Sequence, residues 1–479
     1  MNYNCGTNQI NKTKKQINMK KITFLLAVGL CAGSLVAGEN PNDKAAKKNA
    51  GTNTINKTNA ASPWIVQNSG FGTQRGISKI NIVSPTIVWA TAYDGAVPSR
   101  NTLEFTRTTD GGTSWTPGVF MTDTSTYMIS SVAPIDGNTC FAVFAPKAGT
   151  GGKTMKTIDG GLNWTDVAAT SWTGSWADDI GFFDASNGVA IGDPVTNKFI
   201  VYTTGDGGVN WVQTPAANIP VMQASEYPVQ DYFDIVGNTI WVGTNQGRVF
   251  KSIDNGKNWT VTATGLTSYT DVNFKDANTG FAIQKDVTYL VKKTIDGGAT
   301  WSTVTPTGAF LKNDFDFLPG SGSTWVNVSA TLPTGKGSSI STDDCASFTS
   351  IDTTLQYTTV RFFDALSGWA GGFSSDGGLY KWDPTAMVSV KEIQTDNVEF
   401  SLYPNPSIGN VSLNIENLNS SKSLIEVFDM IGNKIFAGEY NSALTKRVDI
   451  HLEKEQAGIY FVRVSVNNKS VTKKVSLVK

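Results

Sequence analysis

The sequence predicts an all-β chain, a seven-bladed β-propeller followed by a small β-sandwich, and three observations predict it. A phrase reading Ser/Thr-x-Asp-x-Gly-x-Ser/Thr/Asn-Trp returns from Thr108 to Trp115, Thr157 to Trp164, Thr204 to Trp211, Ser252 to Trp259 and Thr294 to Trp301. A worn sixth copy runs from Ser341 to Phe348. The aspartates, Asp110, Asp159, Asp206, Asp254, Asp296 and Asp343, are spaced by 49, 47, 48, 42 and 47 residues, the period of a four-stranded propeller blade. Before each box lies an alternating strand, an Asn/Gly/Ser turn and a short apolar strand, as in Asp179 to Ala190, Asp271 to Ala282 and Thr359 to Ala370. Such period-two alternation bounded by turns marks antiparallel strands. Past Asp383 and Pro384 the boxes stop and Val, Ile, Asn, Ser and Lys take over.

The elements follow in order. Lys20 and Lys21 precede an apolar run from Ile22 to Ala37 that ends in small residues, so residues 1–38 read as a secretory signal peptide with its natural start at Met19. The run is short for a membrane span, and no transmembrane segment is expected in the mature chain. Cys31 lies within it, but bulky Leu30 makes a poor lipoprotein cleavage box. Residues 39–61, rich in Lys, Asn, Ala, Thr and Gly, read as a solvated linker.

The repeats then occupy 62–384. Each unit supplies an inner strand, a second, a third ending at the box, and a fourth beginning at the box aromatic. Inner strands fall near Ile77, Ile129, Asp179, Asp231, Asp271, Asp314 and Thr359. Box glycines admit φ > 0, box aspartates accept turn amides, and box tryptophans cover the outer edge of the blade. The seventh unit ends at Gly378 to Trp382 without a box, so its fourth strand is missing. Pro63 to Asn68, with Trp64 in the tryptophan place, has the look of that strand and is expected to close the ring. A linker is expected over 385–397 and a β-sandwich over 398–479, its strands split by turns at Ile431 to Asn433 and Val466 to Lys469.

Composition narrows the function. Residues 61–385 hold 19 Lys/Arg against 28 Asp/Glu, a net −9, which argues against nucleic acid and favours cations, basic peptides or neutral sugars as partners. Only Glu104 and Glu226 of those acids are glutamates, so much of the acidity is turn chemistry. Cys140 and Cys345, in the second and sixth repeats, are too far apart around a ring to pair. One histidine, His451, leaves no catalytic triad, and with two separated cysteines no zinc site is expected. No cofactor or metal is expected, and the chain reads as a monomer.

Two resemblances follow. The boxes, over about residues 63–383, resemble the Asp-box or BNR repeat of sialidases, xyloglucan-cleaving hydrolases, sortilin-type receptors and photosystem-assembly-type propellers. That resemblance implies a fold device: Asp110, Trp115, Asp159, Trp164, Asp206, Trp211, Asp254, Trp259, Asp296 and Trp301 are expected to be structural. A sialidase should show an arginine triad and a Phe/Tyr-Arg-Ile-Pro phrase. The phrase is absent, and the repeats hold only Arg75, Arg100, Arg107, Arg248 and Arg361. Leu402 to Pro406 (with Pro404, Asn405 and Pro406), Gly409, Ile425 to Lys434, Ala457 to Val464 (with Gly458) and Thr472 to Val475 (with Lys473 and Lys474) stand in the order of the type A C-terminal signal of the type IX secretion system. The segment resembles that immunoglobulin-like domain, which implies export through the periplasm to the outer-membrane surface or beyond, with the secretion machinery as partner.

Within the propeller, Asp178 or Asp179, Asp231, Asp271 and Asp314 stand at the starts of inner strands and are expected at one mouth of the channel. There they are candidates for acid and base on a glycosidic bond, for cation ligands, or for caps on neighbouring amides. Trp172, Trp176, Tyr227 and Tyr232, with Tyr127 and Tyr269, lie before or at inner strands, where they stack on a ligand or pack blade against blade. Of these, Trp172, Trp176, Tyr227 and Tyr232, together with Arg361, are the candidate ligand contacts. The expected function is a secreted, surface-displayed propeller that binds a glycan or protein. The alternatives are a glycoside hydrolase using the mouth aspartates and a scaffold for envelope assembly.

Overall fold

The computed structural model describes residues 62–72, 74–96, 102–286, 288–330, 335–373, 378–387, 399–416, 422–441, 447–466 and 469–478. The expected signal peptide with Met19, the 39–61 linker, Arg100 and most of the 385–397 linker lie outside the described residues.

From Trp64 to Trp382 the strands form seven sheets in sequence order. Blade 1 runs from its inner strand Arg75–Ile82 to its outer strand Thr116–Val119, and blade 2 from Tyr127–Pro134 to Thr165–Asp166. Blade 3 runs from Ala177–Phe182 to Val212–Gln213, blade 4 from Pro228–Val236 to Thr260–Ala263, and blade 5 from Thr270–Phe274 to Ser302–Val304. Blade 6 runs from Asp314–Phe317 to Ser347–Asp352 and carries an extra edge strand, Thr307–Gly308, paired in parallel with Ser347 and Phe348. No box or alternation announces that strand. Blade 7 has only three strands in sequence order, Tyr357–Phe362, Gly368–Gly372 and Gly378–Trp382. The fourth is the N-terminal strand Trp64–Asn68, antiparallel to Gly378–Trp382 with Trp64 opposite Trp382. The ring closes as the missing fourth strand predicted.

The second strand of a blade is apolar without alternation because both its faces are covered by neighbouring blades. Val88–Asp94, Cys140–Pro146, Thr239–Thr244, Gly280–Gln284, Trp325–Ser329 and Gly368–Gly372 are buried along their whole length. Their aromatic residues seed the apolar clusters between blades. Val189 and Ile191 meet Ile240 and Val242 between blades 3 and 4, and Trp241 stacks on Phe274 at 3.7 Å between blades 4 and 5. Ile77, Val88 and Trp115 meet Trp369 and Leu379 between blades 1 and 7. Each fully buried aromatic contributes roughly 1.5–3 kcal/mol, so the stability lies between blades rather than within them.

Every described box turn has the same hydrogen bonds. Thr204 Oγ1 donates to Asp206 Oδ1 (2.8 Å) and accepts the Gly208 amide (3.0 Å), while Asp206 accepts the Asn210 amide (2.9 Å) and Nδ2 (2.7 Å). The worn copy is complete: Ser341 Oγ donates to Asp343 and accepts the Cys345 amide, and Ser347 donates twice to Asp343. In it, Asp344 and Cys345 sit at φ +53° and +66°, where the third box has Gly207 and Gly208 at +70° and +74°. A cation just before the box reaches the next blade. Arg107 donates to Gly160 O (2.9 Å), Lys156 to Gly207 O (3.3 Å) and Lys381 to Gly111 O (2.7 Å). At blade 6 the acceptor is the Asp344 carboxylate, which takes Lys275 (2.8 Å), Lys293 (3.2 Å) and Trp325 Nε1 (3.3 Å).

The C-terminal region is a sandwich of a three-stranded sheet (Glu399–Tyr403, Asn410–Glu416, Arg447–His451) and a four-stranded one (Lys434–Tyr440, Ser423–Phe428, Gly458–Val466, Lys469–Leu477). Phe400, Leu413 and Ile415 from one sheet and Ile425, Val427, Val462 and Val464 from the other share its core.

Candidate functional site

Blade 4 places the functional side chains. Its inner strand pairs Pro228 with Thr244 and next Phe233 with Val242, so Val229 to Tyr232 form a wide bulge. A bulge inserts unpaired residues, bends the strand and re-aims its side chains. Asp231, at its centre, adopts φ +62°, a conformation that a residue with a Cβ adopts only when its surroundings hold it there.

Those surroundings come from three other blades. Gln230 Nε2 donates to Ser130 Oγ of blade 2 at 3.1 Å. The Asp231 amide donates to Asp179 Oδ1 of blade 3 at 2.7 Å, and the Asp231 carboxylate forms an ion pair with Lys79 of blade 1. Lys79 also donates to Ser130 O at 2.9 Å. The bulge therefore ties blades 1 to 4 together across the channel.

On the other side, Arg361 of blade 7 donates to Asp314 of blade 6 at 2.6 Å, and Asp314 also accepts Thr359 Oγ1 (2.7 Å) and the Val360 amide (3.1 Å). Lys285 lies 3.2 Å from Asp271 and donates to Asn313 O at 2.7 Å. Asp316 accepts the Phe362 amide (2.6 Å), and Asp234 accepts the Phe274 amide (2.5 Å).

Of the four expected aspartates, Asp179 accepts the Asp231 amide, and Asp231, Asp271 and Asp314 each meet a charged neighbour from another part of the chain. Lys79 and Lys285, absent from the candidates, supply two of those neighbours. Neither carries a sequence signal: Lys79, on an inner strand, reads as a solvated face until the ring brings it opposite Asp231, and Lys285, just past the second strand of blade 5, reads as a loop cation.

The electrostatics follow from burial. Loss of water drives the Asp179 carboxyl up to about 8 against the pull of Lys79, Asp316 up to about 7 and Asp234 up to about 6. Burial also raises Asp271, with Lys285 opposing. Arg361 is raised despite burial, because Asp314, Asp316 and Asp271 surround it. Asp179 Oδ2 is buried without a hydrogen-bond partner.

Beside this network lie half-buried tyrosines. Tyr227 and Tyr269 bring their hydroxyls within 3.1 Å, and their rings meet edge to face at 6.5 Å. Burial, then the charges of Asp271, Asp314, Tyr289 and Tyr269, raise the Tyr232 phenol. Lys312 holds its ammonium 4.6 Å from the centre of the Tyr289 ring. Tyr269 and Tyr289 stand outside the candidate ligand contacts, although Tyr269 belongs to the aromatics noted before inner strands.

Other expectations are corrected. Trp172 is not a ligand contact: it is 3% exposed, donates to Thr154 Oγ1 at 3.1 Å and packs edge to face on Tyr202, because its loop folds back over blade 3. Trp176 is half-buried and donates to Gly149 O at 2.5 Å. The described arginines do not converge: Arg75 binds Glu104, Arg248 binds Glu226, Arg107 binds Gly137 O and Gly160 O, and Arg361 binds Asp314.

In the sandwich, Asn405 donates to Lys474 O (2.9 Å) and accepts the Ser476 amide (2.9 Å), fastening the Pro404 to Pro406 turn to the last strand. Gly409, at φ +140°, lies where a Cβ would meet Glu453. Gly458 opens the strand Gly458–Val466, which pairs with Lys469–Leu477, where Lys473 and Lys474 lie. His451 is an exposed strand residue.

Among the described residues no group of acids, histidines and cysteines is arranged to hold a metal, and no helix is long and apolar enough to cross a membrane.

Comparison with known proteins bears on both parts. No curated protein matches the chain. Among solved structures, YCF48 from Cyanidioschyzon merolae is similar over 68% of this chain and 100% of its own, at 16% identity and a TM-score of 0.49. YCF48 bound to D1 peptide is similar over 68% of this chain and 99% of its own, at 15% identity and a TM-score of 0.32. Residues 401–478 match the family of secretion system C-terminal sorting domains. The sandwich is such a domain, and the chain is a seven-bladed β-propeller addressed by it to type IX secretion, to the cell surface or beyond.

Proposed function

We propose that the exported propeller captures a ligand, a protein or a glycan, at its channel mouth and does not cleave it. The observation that carries this reading is the state of the channel acids. A glycosidase needs two carboxyl groups facing one bond, one to donate a proton and the other to attack or activate water. Here Asp231, Asp271 and Asp314 are held by Lys79, Lys285 and Arg361, so the charge is spent on ion pairs, two of them between blades and the Asp271 pair within blade 5. Beside them lie half-buried tyrosines, whose rings and hydroxyls are suited to stacking and hydrogen bonds with a ligand.

One observation favours the hydrolase as a second reading: Asp179 has an unpartnered buried Oδ2 and a carboxyl raised to about 8, as a general acid requires. Asp179 is nonetheless 1% exposed, out of reach of a sugar unless the Asp231 bulge moves. The test is binding and turnover by the full exported chain on panels of polysaccharides and proteins, beside Asp179→Asn. Binding without product supports the proposal. Hydrolysis that disappears in Asp179→Asn replaces it with the enzyme.

A further inference from the structure

We propose that the rim formed by the box turns of blades 2 to 5 is a docking surface for a basic amphipathic segment of a partner protein, one in which lysines or arginines are interleaved with aliphatic residues. This surface is separate from the channel mouth. The inner and third strands of a blade run the same way, since each is antiparallel to the second. The box turns, which follow the third strands, therefore lie at the far end from the starts of the inner strands, where Asp179, Asp271 and Asp314 stand.

These turns carry aliphatic residues that the turn itself does not need. Ile158, Ile253 and Ile295 fill the second place of the boxes in blades 2, 4 and 5, and Leu162 and Val209 fill the sixth place in blades 2 and 3. All five residues are 62–82% exposed. The boxes of blades 1 and 6 have threonine in the second place, Thr109 and Thr342, and close with the same hydrogen bonds. An isoleucine there adds nothing to the turn and leaves apolar surface in water. Exposed aliphatic residues scattered singly are ordinary, whereas a contiguous set marks an interaction surface.

The set is contiguous because each of the four turns is fastened to the blade before or after it. Lys156, just before the blade 2 box, donates to Gly207 O in the blade 3 box at 3.3 Å. Asn218, beyond the outer strand of blade 3, donates to Lys257 O in the blade 4 box at 3.0 Å, and Trp241 of blade 4 donates to Gly297 O in the blade 5 box at 2.9 Å. The four turns share one hydrogen-bond pattern and positive φ at their fourth and fifth residues, so equivalent residues project alike.

Charge selects the occupant. The four boxes hold Asp159, Asp206, Asp254 and Asp296 against one lysine, Lys257. Lys156, Lys251 and Lys293, which precede the boxes of blades 2, 4 and 5, turn to Gly207 O, the Trp241 ring and Asp344. The aliphatic tips are thus interleaved with negative charge. A second copy docked rim to rim would set aspartate against aspartate, and an anionic lipid surface would be repelled, whereas a basic segment gains from both the tips and the charge.

The experiment is calorimetric titration of the full exported chain with a short amphipathic peptide of leucine and lysine, beside a leucine and glutamate peptide of the same length. The rim variant combines Ile158→Thr, Ile253→Thr and Ile295→Thr, each taking the residue that the boxes of blades 1 and 6 already use, and its Tm is expected to match the parent's. The lysine peptide is expected to bind the parent, more weakly as salt rises, and the rim variant at least about tenfold more weakly. Lys257→Glu should tighten its binding about two- to fivefold, an effect that misfolding cannot produce. No binding of the lysine peptide, equal binding by parent and rim variant, equal binding of the glutamate peptide, or weaker binding by Lys257→Glu overturns the proposal. Sedimentation velocity and flotation with phosphatidylglycerol vesicles test the other occupants: self-association or vesicle binding that disappears in the rim variant assigns the rim to a second copy or to lipid and overturns the partner segment.

Discussion

The box aspartate shows how little a carboxylate's position in the sequence says about its task. Asp110, Asp206 and Asp296 are exposed and Asp159 half-buried, yet their carboxyls are held at about 2, chiefly by hydrogen bonds from Ser114, Asn210, Thr300 and Asn163 four residues on. A depressed folded-state value stabilises the fold above the unfolded carboxyl value near 4, and that contribution is lost as pH falls through about 2. Thermal melts are therefore expected to drop steeply between pH about 4 and 2. Asp206→Ala should lower Tm at pH 7 and flatten that acid limb; an unchanged limb would remove the box from the acid response. The channel aspartate has the opposite chemistry. Asp179 lacks local donors apart from the Asp231 amide, and burial raises it. The box role was legible because its partners lie within four residues. The channel role was not, because Lys79 and Asp231 lie 100 and 52 residues from Asp179 and meet it only once the ring exists.

At the scale of the element, local pattern fared better than local exceptions. Alternation between turns located every inner strand. It missed the bulge at Val229 to Tyr232, since residues excluded from pairing leave no periodic trace. The worn sixth box is another exception. Asp344 stands at φ +53° where the third box has glycine, and Lys275 and Lys293 claim its carboxylate. Burial opposes its ionisation, but the hydrogen bonds from Lys275, Trp325 and Lys293 prevail and hold it below the usual range. Asp344→Asn keeps a residue that tolerates positive φ and removes only the charge. Denaturant unfolding is expected to report a loss of about 1.5–3 kcal/mol, the scale of charged hydrogen bonds. No loss would mean that the strained backbone, rather than the ion pairs, sets this turn. At the seam, Trp64 is 4% exposed, donates to Ser338 Oγ at 2.9 Å and touches Tyr357, Phe362 and Trp382. Trp64→Ala is expected to cost about 3–5 kcal/mol, more than any exposed substitution in an outer strand, as equilibrium unfolding would show.

Across the whole molecule, the sandwich carries the export address and the propeller carries the proposed ligand site. Box spacing counted the blades because each blade is one duplicated unit, and the short pieces of the sorting domain were readable because they sit at fixed turns such as Asn405 and Gly409. The candidate site was not readable, since it is assembled from residues of separate blades. Deleting residues 398–479 is expected to hold the chain inside the cell envelope, scored by surface proteolysis of whole cells; normal display of the truncated chain would separate export from the sandwich. The seam at Trp64 ties these roles to the order of synthesis. The closing strand is the first part of the propeller to be made, its partner Gly378–Trp382 the last, and the export address begins only beyond it. A chain cut short anywhere in the repeats thus lacks its final blade and its address together, so incomplete rings are left behind without any separate inspection of their fold.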